Sequence, residues 1–130
     1  MRILAIDPGD VRIGLAISDP SATIAKPHSV IKHQSRSIDA DKILQEAERI
    51  GAERIVVGIA FDQEGLVGPQ ARKALRLVDV LKFRSNIPIE TWDETGSTEI
   101  ASSRSRKKEN IDARAAAIFL QEYLDAKRKT

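Results

Sequence analysis

Residues 3 to 18 read ILAIDPGDVRIGLAIS, two apolar runs divided by Asp-Pro-Gly-Asp-Val. Pro-Gly and aspartate supply turn chemistry, so the pair predicts a β-hairpin. ILAI is apolar at successive positions rather than alternate ones. Such a run suits a central strand covered on both faces. That requirement constrains the fold more than any other feature, because helices must then lie on both sides of a sheet.

The rest of the chain supplies those layers. Pro20 ends the second strand, and PHSVIK at 27 to 32 predicts a third. IDADKILQEAERIGA at 38 to 52 predicts a helix, capped by Ser37 or Asp39, striped by Ile43, Leu44, Ala47 and Ile50, and closed by Gly51. RIVVGI at 54 to 59 is another buried strand, and FDQEGLVG is a loop. A second helix begins near Pro69, with Ala71, Ala74, Leu75, Val78 and Leu81 on one side, and breaks at Asn86 and Pro88. IPIETW at 87 to 92 is a strand leading into Asp93 and Glu94. STEIASSRSRKKEN reads as a short helix and a basic loop, and residues 111 to 129 as a final helix capped by Asn110. The order β-β-β-α-β-α-β-α-α predicts an α/β domain spanning residues 1–130. Its sheet is mixed and five-stranded, three strands antiparallel and then parallel ones, with helices on both faces. The ribonuclease H-like fold has this order.

Composition narrows the chemistry. The chain has 130 residues and no cysteine, which removes disulfides, thiolate zinc sites and cysteine nucleophiles. No apolar stretch approaches the roughly 18 residues of a membrane span. A cytoplasmic protein is expected, with no membrane contact. Net charge is +2, but RSRKK at 104 to 108 and KRK at 127 to 129 concentrate positive charge. Such patches suit nucleic acid, although a solvated face would look the same. Aromatic residues make up only 4% of the chain, so no base-stacking platform of single-strand binders is expected, and Trp92 reads as core. His28 and His33 read as surface or turn residues.

Three acids stand at the ends of elements: Asp7 after the first strand, Asp93 after the last, and Asp112 in the first turn of the final helix. Each alone has an ordinary explanation as a turn former or a helix-dipole acid. Together they suggest more. Strands of a parallel sheet present their carboxyl ends at one rim. Carboxylates gathered there repel one another unless a cation neutralises them. Magnesium prefers such oxygen ligands, and two-metal sites use them to hydrolyse phosphodiesters. Glu94 competes with Asp93, because neighbouring strand residues point to opposite faces.

The stretches IDPGDVRIGLAISD (6 to 19), ERIVVGIAFDQEGLVGPQA (53 to 71), TWDETGSTE (91 to 99) and RKKENIDARAAAIFLQEYLD (106 to 125) resemble the YqgF-type family, in order and over essentially the whole chain. Members of that family bear the names Holliday junction resolvase and pre-16S rRNA nuclease. The resemblance implies a ribonuclease H-like nuclease dependent on Mg2+ or Mn2+, with Asp7, Asp93 and Asp112 as catalytic and metal-binding residues. It places Asp93 ahead of Glu94, and makes Asp62 a possible additional ligand beside its reading as a loop aspartate. Arg12, Arg104, Arg106, Lys107 and Lys108 are the expected substrate contacts. Ser97 and Thr98 read as helix caps. The implied partner is a structured RNA precursor or branched DNA, bound by a monomer or a homodimer.

Three departures from the family pattern stand out. Thr95-Gly96 replaces an arginine and its neighbour after Asp93-Glu94, Ala60-Phe61-Asp62 replaces a proline-containing turn, and Asp10 replaces a small hydroxyl residue. They keep a non-catalytic nucleic-acid-binding module in view. Actin-like and sugar-kinase ATPases also open with Asp-x-Gly on a strand, but need two such domains.

Overall fold

The computed structural model describes residues 1–94 and 108–128, with the side chains of 108–111 left aside. Its elements are β1 (Ile3–Asp7), β2 (Arg12–Ser18), β3 (Ala25–Lys32), α1 (Arg36–Ile50), β4 (Arg54–Ile59), α2 (Pro69–Arg84), β5 (Ile89–Asp93) and α3 (Lys108–Arg128). The strands form one sheet in the order β3-β2-β1-β4-β5. β1 pairs antiparallel with β2, and β2 with β3, whereas β4 runs parallel to both β1 and β5. β1, β4 and β5 therefore end at the same rim. This is the expected mixed five-stranded sheet.

β1 sits at the centre of the sheet and is buried throughout, as its continuous apolar run requires. Alternation divides its side chains between two cores. Leu4 and Ile6 join Ile13, Leu15, Ile55 and Val57 beneath α1 and α2. Ile3 and Ala5 join Ala16 and Val56 beneath Phe119, Leu120, Tyr123 and Leu124 of α3. Complete burial of a side chain such as Phe119 or Leu120 contributes roughly 1.5–3 kcal/mol.

Two boundaries move. Ser35, rather than Ser37 or Asp39, caps α1, its hydroxyl accepting from the Ile38 N–H at 3.2 Å. Asp39 is instead buried and accepts from the Gln34 N–H and from His33. Gly51 ends α1 in the left-handed conformation (φ 71°), as expected. α3 is already helical at Lys108, so Asn110 lies within it and does not cap it. The short helix expected after Ser97 lies outside the described residues.

Candidate active site

Asp7 is the last residue of β1, and alternation puts it on the α3 side with Ile3 and Ala5. Its register partner on β2 is Gly14. A Cβ at Gly14 would come within 2.1 Å of the Asp112 backbone oxygen, so α3 rests directly on β2 there. Only glycine permits that approach, and it delivers Asp112 beside Asp7. Arg12, two residues earlier on the same face of β2, donates from Nε to Asp112 Oδ2 at 2.8 Å. The pair is about three-quarters shielded from solvent. The two terminal nitrogens of Arg12 have no hydrogen bond among the described residues.

A second glycine admits the third acid. On β5, Glu90 and Trp92 face α3, and the same alternation brings Glu94 to that side. The Glu94 N–H donates to Ile59 O at 3.1 Å, continuing the ladder beyond the strand. Its side chain lies across Gly58, where a Cβ would meet Glu94 Oε2 at 2.6 Å and the Phe119 ring at 2.9 Å. Glu94 is 4% exposed and Asp7 9%. Oε2 of Glu94 is buried with no hydrogen-bond partner among the described residues.

Burial, first, and then its contact with Asp7 hold the Glu94 carboxyl far above the ordinary carboxylate range. Asp7 is also raised, chiefly by burial, with the Asp112 charge adding to it and the hydrogen bond from Glu94 opposing it. Both shifts favour one proton held between the two acids, since two carboxylates this close and this buried repel each other. Two buried carboxyls held together this way can exchange the proton for a cation. Among the described residues no three acids close on a single point, because Asp112 is turned toward Arg12. The donor set is nonetheless all oxygen, partly buried and with one atom unpartnered, as a hard divalent ion requires.

Asp93, expected ahead of Glu94, is exposed and belongs to the opposite face of β5. The geometry therefore groups Glu94, not Asp93, with Asp7 and Asp112. Asp62 is committed elsewhere: its Oδ1 accepts from Glu64 N–H at 2.9 Å and Leu66 N–H at 2.8 Å, closing its own loop. Arg104, Arg106 and Lys107 lie outside the described residues, and Lys108 enters only through its backbone as the first residue of α3. Gly14 and Gly58 are the site-forming residues that sequence reading passes over. Both stood in the motifs RIG and VVG, but nothing there shows which element presses on them.

The family model described as RuvX, Holliday junction resolvase, matches residues 1–126. A relative from Thermoanaerobacter pseudethanolicus named "Putative pre-16S rRNA nuclease" is 40% identical, over 98% of this chain and 99% of its own. Among solved structures, Thermus thermophilus RuvC in complex with a Holliday junction substrate superposes with a TM-score of 0.65 at 22% identity, covering 100% of this chain and 97% of that one. The fowlpox virus Holliday junction resolvase gives 0.58 at 14% identity, over 97% and 99%. At those identities the structures show a shared ribonuclease H-like fold.

Proposed function

The chain belongs to the RuvX family, and from that premise we propose that it hydrolyses phosphodiester bonds with the help of Mg2+ or Mn2+, acting on a structured precursor of 16S rRNA. One observation carries the chemistry: Asp7 and Glu94 are buried together beside Asp112 at the rim where β1, β4 and β5 end. Asp7, Glu94 and Asp112 would hold the ion. A bound divalent ion would supply a more acidic water and neutralise charge on the phosphate. Arg12 fixes the orientation of Asp112 and keeps donors available for a phosphate oxygen. The names borne by relatives at about 40% identity favour RNA as substrate.

The test is cleavage of a labelled 16S precursor RNA and of a labelled four-way DNA junction, by wild type, Asp7→Asn and Glu94→Gln. The expected result is magnesium-dependent cutting of the RNA, lost by about 10³-fold in both variants, as when an essential group in a catalytic unit is removed. Retained cutting in Asp7→Asn would overturn the site. The family description favours a second reading, a junction resolvase. A junction is two-fold symmetric, so that reading requires a dimer making paired cuts. Light scattering at assay concentration, together with the cut pattern, separates the two. Binding without cutting, unaffected by Asp7→Asn, would leave a non-catalytic module.

A further inference from the structure

The face of the β1–β2 turn away from Asp112 holds a concavity. It is a cleft of about 350 Å³ between that turn, the start of α1 and one side of α2. Ile13, Ala74 and Leu77 form its floor and are almost wholly buried. Arg36, Lys73 and Arg76 stand around it, with the Pro8-Gly9 backbone on one side. Its volume lies at the lower end of the range for small-molecule sites.

The charges in the cleft do not cancel. Asp10 pairs with Lys73 at 3.1 Å, and Asp39 pairs with His33. Arg36 and Arg76 have no ion pair or hydrogen bond among the described residues. Two unpaired guanidiniums above an apolar floor match a ligand that is planar and apolar at one end and anionic at the other. Guanidinium groups present paired donors to phosphate oxygens, and apolar side chains accept the face of a base.

We propose that this cleft binds a nucleotide unit, its phosphate held by Arg36 and Arg76 and its base laid against Ile13, Ala74 and Leu77. The unit is either a free nucleotide or one unstacked nucleotide of a strand that also reaches Asp7. The two sites flank a single turn, since Asp7 precedes Pro8 directly and faces the other side of the sheet. The strand-bound form rests on the nuclease reading, and the cleft itself does not.

The experiment titrates AMP, inorganic phosphate and a short single-stranded RNA into four proteins, followed by amide chemical shifts. These are wild type, the Arg36→Ala/Arg76→Ala double variant, Asp7→Asn, and Arg72→Ala/Lys82→Ala. The last removes equal charge from exposed positions of α2 outside the cleft. Equal unfolding midpoints establish that all four are folded. Support is at least tenfold weaker binding in the cleft double variant, with the control variant close to wild type and AMP still bound by Asp7→Asn. If AMP shows the loss, the ligand is a free nucleotide; if only the RNA shows it, the ligand is part of a strand. Equal binding by the cleft double variant and wild type overturns the proposal. So does inorganic phosphate binding as tightly as AMP when the RNA shows no loss, because the floor then contributes nothing. Cleavage that is absent while AMP still binds the cleft overturns the nuclease reading and leaves this site standing.

Discussion

A carboxyl that carries a proton at neutral pH binds that proton more tightly in the folded chain than in the unfolded one. Burial, and then the neighbouring Asp7, push the folded pKa of Glu94 in that direction. The unfolded chain releases the proton near pH 4, while the folded chain keeps it to much higher pH. Stability without divalent ions is therefore fully present below about pH 4 as far as this pair is concerned, and it falls as pH rises above that. One extra bound proton corresponds to about 1.4 kcal/mol per pH unit. Thermal unfolding in a chelator should give a lower midpoint at pH 8 than at pH 5, and Glu94→Gln should flatten the difference. Magnesium at pH 8 should raise the midpoint of wild type and not that of Glu94→Gln. A wild-type midpoint in chelator that does not fall between pH 5 and pH 8 would show that Glu94 is ionised in the fold. Arg12 touches Asp112, so on the proposed mechanism it acts by orienting that carboxylate. Arg12→Ala should lower activity by about 10–100-fold, the usual cost of losing a partner that orients a ligand. Arg12→Lys should restore little of it, because a lysine cannot reproduce the Nε geometry. Kinetics across the metal titration check this, since a misoriented Asp112 raises the metal concentration needed for half activity.

The elements were largely legible from the chain, and the site only in part, for a physical reason. Strands β1, β2 and β4 announce themselves because complete burial demands continuous apolar runs. Pro69 and Gly51 likewise mark a helix start and a helix end through their own backbone preferences. The choice between Asp93 and Glu94 depends on something no local pattern holds, namely which face of β5 is covered by α3. The β4–β5 register, pairing Gly58 with Trp92 and Ile59 with Asp93, sets the two acids on opposite faces. The same dependence hid Gly14 and Gly58, whose missing side chains matter only once α3 and Glu94 lie over them. Gly14→Ala forces a Cβ against backbone that cannot swing aside. It should destabilise by about 1–3 kcal/mol and remove most activity by lifting the first turn of α3. Gly58→Ala meets the movable end of Glu94 and the edge of a ring, so it should cost less stability than activity. Urea unfolding beside cleavage rates separates the two effects. Asp62→Ala opens a loop, not the site, and should change the rate by less than about threefold when Glu94→Gln changes it by about 10³. A comparable loss in Asp62→Ala would return that residue to the metal site.

On the scale of the molecule, α3 has two jobs, and they sit at opposite ends of it. Its start carries Asp112 against Gly14, and its far half fastens the helix to the sheet. There, Arg54 Nη1 donates to the Tyr123 hydroxyl at 2.9 Å, and that hydroxyl donates to Glu90 Oε2 at 2.9 Å. Trp92 packs edge-on to the Tyr123 ring at 5.4 Å, and the Lys127 ammonium lies 5.4 Å from the centre of the same ring. Arg54 Nε is already buried without a partner among the described residues, so this cluster has no slack in hydrogen bonding. Tyr123→Phe keeps the ring and its packing but removes the hydroxyl bonded to both Arg54 and Glu90, leaving only their direct ion pair at 3.5 Å. The cost is that of losing two partly buried hydrogen bonds, about 1–3 kcal/mol. For a domain of this size that corresponds to a fall in Tm of several degrees. The chemistry should not notice: with Gly14 still seating the start of α3, the cleavage rate of Tyr123→Phe well below its Tm should equal that of wild type. Arg12→Ala should show the reverse, a large loss of rate with little change in Tm. Measuring Tm and rate on both variants tests whether stability and catalysis divide along one helix. A rate loss in Tyr123→Phe at low temperature would mean that the far half of α3 sets the position of Asp112 after all, and that the helix moves as a single rigid lever.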